Sequence, residues 1–160
     1  MKILEYIALE TSPGLFAEFS KPLHFIRSDE MSFPAYRLEI DPEMVIWFYL
    51  VFSQTRDIPE ELKKTAPYLR GALLLPDTNW MGNYLSFQEI LSQLDFRPGK
   101  LPLLLAQKTT YDWYEELPMH IRHEGIYLGQ GSKLMFWPEQ HANSLRVIWR
   151  NFLLSTEENE

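Results

Sequence analysis

A chain of 160 residues with 22 acids against 15 bases carries a net charge of −7, and its Lys and Arg are scattered rather than clustered as phosphate neutralisation on a nucleic acid requires. The absence of cysteine excludes disulfides, zinc–thiolate centres, iron–sulfur clusters and thiol nucleophiles. Hydrophobic residues at 46% and aromatics at 14%, five Trp among them, describe a globular composition able to bury roughly two thirds of its unfolded surface as one domain.

Two segments compete for the role of first strand. Residues 3–9 (ILEYIAL) are apolar except for Glu5, a costly side chain in a strand covered on both faces, and residues 22–26 (PLHFI) are the alternative. Residues 36–40 (YRLEI) and 44–52 (MVIWFYLVF) read as an antiparallel hairpin closed by Asp41, Pro42 and Glu43, the second run being apolar almost throughout. A helix over 59–69 opens on Pro59 and two acids and ends or kinks at Pro67. A buried strand at 71–78 precedes the clearest amphipathic helix, 83–94, in which Tyr84, Phe87, Ile90, Leu91 and Leu94 recur at three and four and Asn83 is the N-cap candidate.

Leu101 to Ala106 reads as a further buried strand, residues 107–110 as a loop and 111–117 as a short helix. Residues 133–137 (KLMFW) form a strand, and 141–154 a last helix with Leu145, Ile148, Trp149, Phe152 and Leu153 along one stripe. Strands alternating with helices imply an α/β fold of three layers, a mostly parallel sheet with one antiparallel edge strand. No linker or repeat divides residues 1–154, and 155–160 reads as a flexible acidic tail. With no apolar run near the ~20 residues of a membrane span and no signal-peptide pattern at the amino terminus, a cytoplasmic protein is expected.

This order of elements resembles the Ras-like small GTPases, in particular the bacterial GTP-binding proteins associated with roadblock-type partners. Residues 37–55 (RLEIDPEMVIWFYLVFSQT) and 70–78 (RGALLLPDT) are similar to that family's hairpin and following strand, and 102–110 (PLLLAQKTT) to the strand that delivers the guanine-reading loop. The resemblance implies a Ras-like fold, and the chemistry of the family can be tested loop by loop. Its GxxxxGK motif, followed by Ser or Thr, cradles phosphates and holds Mg²⁺, but residues 3–21 contain Gly14 and no Gly-Lys-Ser/Thr. The turn 53–57 (SQTRD) lacks the glycine whose amide meets the terminal phosphate, although Gln54 and Arg56 superficially suggest a water-positioning Gln and an arginine finger. Where Asn-Lys-x-Asp would read guanine stand Gln107, Lys108, Thr109 and Thr110, and a Thr hydroxyl does not replace a carboxylate that accepts two donors. The Ser-Ala-Lys type loop is represented by 137–140 (WPEQ).

The joint loss of these motifs points to a pseudo-GTPase without the P-loop, without a cofactor and without catalytic residues, acting as a protein-binding or regulatory subunit. Its partner, by the resemblance, is an intact GTPase or a roadblock-type protein, and an oligomer is compatible with the chain. Two other readings stay open: an atypical nucleotide- or metal-dependent hydrolase, and a structural subunit of a complex. For a metal, the candidates are His120, His123 and Glu124, against a solvated polar turn as the bland alternative. For a protein partner, the candidates are Trp80, Tyr111, Trp113 and Tyr114, which could equally plug a vacant pocket.

Overall fold

The computed structural model describes residues 1–77, 84–95, 101–129, 131–139 and 141–157. Among these the strands are β1 (Lys2–Glu10), β2 (Ile26–Ser28), β3 (Ala35–Asp41), β4 (Met44–Phe52), β5 (Ala72–Leu75), β6 (Leu103–Thr109), β7 (Ile126–Gly129) and β8 (Ser132–Pro138). The helices are α1 (Leu15–Ser20), α2 (Glu60–Thr65), α3 (Tyr84–Gln93), α4 (Tyr111–Glu116), α5 (Met119–Glu124) and α6 (Ala142–Glu157). All eight strands form one sheet in the order β2-β3-β4-β1-β5-β6-β8-β7. The pairs β4-β1, β1-β5, β5-β6 and β6-β8 are parallel, and β2-β3, β3-β4 and β7-β8 antiparallel.

The period of two along each strand sorts its side chains into two cores. Leu4, Tyr6 and Ala8 of β1 face the same way as Ile46, Phe48 and Leu50 of β4, and meet α1 and α6 through Phe16, Phe19, Ile148, Trp149 and Phe152. Ile7 and Leu9 face the opposite way with Tyr49 and Val51, and pack on α2 and α3 through Leu62, Phe87, Ile90 and Leu91. The first core is largely aromatic: Tyr6 stacks on Phe48 with centroids 5.0 Å apart, and Phe19 lies 4.9 Å from Trp149. The buried indole N–H groups are satisfied, Trp149 donating to Phe19 O at 2.8 Å and Trp137 to Ala106 O at 3.0 Å.

Residues 2–10, not 22–26, supply the central strand. Glu5 is accommodated because it sits at the partly covered end of β1, where the Tyr49 hydroxyl donates to its carboxylate at 2.5 Å. Residues 22–26 instead end a short 3₁₀ turn, Lys21–Leu23, and begin the edge strand β2. The expectation of one antiparallel edge strand is corrected to antiparallel pairing at both edges. At the far edge Gly125 turns the chain from α5 into β7 with φ +71, at a point where a Cβ would lie 2.5 Å from Leu134 O.

Other boundaries shift for local reasons. The helix expected over 59–69 is α-helical only as α2 and tightens to a 3₁₀ turn, Ala66–Tyr68, around Pro67. Residues 107–109 are not a loop: β6 runs through them, paired with Phe136, Trp137 and Pro138 of β8. The helix α6 continues to Glu157, into the stretch expected as tail. Asn83 lies outside the described residues, as does part of the strand expected at 71–78. No helix is long and apolar enough to cross a membrane among the described residues.

Candidate functional site

In an open, mostly parallel sheet the ligand crevice lies outside the carboxyl ends of the strands, where the chain changes direction across the sheet. That point falls between β1 and β5, because the strands that follow β1 in sequence lie on one side of it and β5 starts the other. The residues there are Glu10 and Thr11 at the end of β1, Ser12 to Gly14 leading into α1, and Asp77 after β5. Their polar groups bond to one another. The Ser12 hydroxyl donates to Asp77 Oδ2 at 2.9 Å, and the Asp77 amide donates to Thr11 Oγ1 at 2.8 Å.

Glu10 is buried and turns its carboxylate onto the start of α1, accepting the Phe16 N–H at 2.9 Å. Burial pushes its pKa up from the ordinary 4.5, while hydrogen bonds from the Phe16, Gly14 and Leu15 amides and the charge of Arg27 pull the other way. Gly14 allows this turn by adopting φ +91. The amide cradle that an external anion would use at a strand–helix turn is thus filled by a carboxylate of the same chain.

Next to it, β6 contributes Gln107 and Lys108. Gln107 is buried, and its amide group donates to Asp77 O at 2.6 Å and Lys108 O at 2.7 Å. Lys108 reaches across to α1 and bonds Glu18 Oε2 at 3.0 Å, with Glu139 Oε1 at 3.6 Å and the Trp137 ring centroid at 5.7 Å. Glu18 Oε1 and Gln107 Oε1 are buried acceptors with no hydrogen-bond partner among the described residues. The carboxylates of Glu18 and Glu139 therefore flank Lys108, and the buried atoms left uncompensated among the described residues are acceptors. Such a field opposes a polyphosphate. A groove of about 660 Å³ continues from Glu18 and Glu139 between α1 and α6, past Lys21, His24 and Arg146.

The predicted interaction residues lie beyond β6. Tyr111 and Trp113 on α4 are 51% and 45% exposed, and Trp113 sets its ring edge-on to Phe136 at 5.1 Å. Tyr114 points inward and is buried. Its hydroxyl shares a hydrogen bond of 2.9 Å with Ser144 Oγ, which lies 2.5 Å from His141 Nδ1. Because the Ser144 N–H also points at Nδ1, at 3.2 Å, that nitrogen is an acceptor and the ring proton sits on Nε2. A cavity of about 260 Å³ opens here, lined by Tyr111, Glu115, Arg122, His123, His141 and Asn143 among others.

His120, His123 and Glu124 are all exposed and lie on α5, not in a turn. Among the described residues no group of three or more His, Asp or Glu could hold a metal. The structure brings His123 to the cavity with His141 instead. Gln54 and Arg56 are exposed, and Trp80 lies outside the described residues. Sequence reasoning missed Glu10, because its six-residue reach to Phe16 matches no capping spacing, and missed the Tyr114–Ser144–His141 chain, which joins two elements. The chain matches no protein-family model and no curated protein.

Proposed function

We propose that this protein is a non-catalytic, Ras-like pseudo-GTPase that works in the cytoplasm as a protein-binding or regulatory subunit. The observation that carries the reading is the closed crevice: Glu10 holds the amides at the start of α1, Asp77 is tied to Thr11 and Ser12, Gln107 to Asp77, and Lys108 to Glu18. The central position of β1 and the antiparallel β3-β4 hairpin support the Ras-like frame. Fold and chemistry separate here, since the frame persists while each nucleotide-handling group is replaced. The partner implied by the resemblance is an intact GTPase or a roadblock-type protein, met through the exposed rings of Tyr111 and Trp113. Isothermal titration with GTP, GDP and ATP in the presence of Mg²⁺ tests the reading. No heat of binding is expected, and micromolar binding of any of the three overturns it.

A further inference from the structure

We propose that the cavity beside Tyr111 and Tyr114 is a carboxylate-binding site built on Arg122, and that its occupant is an Asp or Glu side chain of a protein partner. The protein source of that carboxylate rests on the reading above, whereas the site itself rests on the geometry of Arg122. This half-buried side chain is fixed from two directions: its Nε donates to Leu117 O at 3.0 Å, and its guanidinium lies over the Tyr114 ring, 5.8 Å from the centroid. Tyr114 is in turn held by Ser144 and His141.

Among the described residues the terminal nitrogens of Arg122 have no hydrogen-bond partner and no ion pair. They form a fork of donors at the cavity, already oriented and still unused. A planar carboxylate meets such a fork with two parallel bonds, and little ordering entropy remains to be lost by the arginine. His141 adds a second donor, because its Nδ1 is engaged by Ser144 and its Nε2 carries the proton. Asn143 and His123 line the same space.

Glu115 bears on the charge class of the ligand. It lines the cavity near the Tyr111 hydroxyl, whose pKa it raises. A doubly charged phosphoryl group meets twice the repulsion from Glu115 and twice the attraction to Arg122, so these offset one another while its desolvation cost rises with the square of its charge. The exposed rings of Tyr111 and Trp113 at the same corner supply a surface for the backbone that bears the acid.

The test is chemical-shift mapping on the full ¹⁵N-labelled chain with four probes: N-acetyl-glutamate α-amide, its glutamine counterpart, acetate and inorganic phosphate. The capped glutamate should give saturable shifts at the Arg122 Nε–H and at the Asn143 and Ser144 amides, and bind more tightly than acetate or phosphate. The capped glutamine should give none. The shifts should vanish in Arg122→Gln and also in Asn143→Asp, an exposed position where the new carboxylate repels the ligand without touching the core. Absence of saturable shifts, retention of binding in Asn143→Asp, or tighter binding of phosphate overturns the site. Equal affinity for acetate and capped glutamate overturns the protein side chain as its occupant. Nucleotide binding at the ends of β1 and β6 with the Arg122 shifts intact would remove the pseudo-GTPase reading and leave the site standing.

Discussion

At the ends of β1, β5 and β6 the polar side chains close on one another, whereas at the corner formed by α4, α5 and the start of α6 they leave donors facing outward. In the first region Glu10, Asp77, Gln107 and Lys108 each bond to the protein itself, and the leftover atoms are acceptors. In the second, Arg122 is oriented by Leu117 and Tyr114, yet its terminal nitrogens have no hydrogen-bond or ion-pair partner among the described residues. Two neighbouring polar clusters on one rim can thus have opposite roles. Side chains that bond to one another within the chain stabilise a fold, while bonding that orients a fork of donors and then stops leaves it for another molecule.

Mutations can break or sharpen this contrast. The largest effect is expected from Glu10→Ala, which strips the acceptor from the amides at the start of α1 and should cost about 3 kcal/mol in chemical denaturation. A stability within the error of the parent would show that the crevice is not held by that carboxylate. Lys108→Met should cost about 2 kcal/mol, less than a fully buried pair because the Glu18 side chain keeps 27% of its exposure. Tyr114→Phe removes one hydroxyl from the chain to Ser144 and His141 and should cost about 1 kcal/mol in thermal or urea unfolding. Trp113→Ala, at the open corner, should change stability by no more than about 0.5 kcal/mol while weakening capture of the protein partner by about 2 kcal/mol. Unchanged partner affinity would move the interface elsewhere.

The subtlest test is pH. The folded pKa of Glu10 is raised above its ordinary 4.5, so in that window the folded chain binds more protons than the unfolded one. Stability from this group is therefore largest below the window and falls as pH rises from about 4.5 toward the raised value. In Glu10→Gln that component should vanish, so the two stability–pH curves should differ in slope only within this window. A difference that grows toward low pH instead would mean that the amide bonds outweigh burial.

Much of the frame is legible in the chain because apolar runs and helical spacing do not depend on distant partners. Met44–Phe52 reads as a doubly covered strand, and Phe87, Ile90, Leu91 and Leu94 recur at helical intervals and pack on one core. The site is less legible because its residues are tolerated by tertiary bonds that leave no local pattern. Gln107 can be buried in β6 because carbonyls of Asp77 and Lys108 receive its amide, and Lys108 can be half-buried because Glu18 comes from a helix some ninety positions earlier. The α5–β7 segment escapes notice for a different reason. One turn of helix and a four-residue strand are too short for periodicity to register, and Gly125 between them is explained only by the Leu134 carbonyl it must pass.

The central place of β1 has a consequence for synthesis. It is synthesised before both strands that flank it, Met44–Phe52 and Ala72–Leu75, which follow it by tens of residues. At ~5–20 residues per second, an apolar strand carrying Tyr6, Ile7, Ala8 and Leu9 waits for seconds before the first of these partners emerges. Newly made chains should for that interval be clients of the holding chaperones, and a stall placed between β1 and β4 should be the most aggregation-prone point of translation.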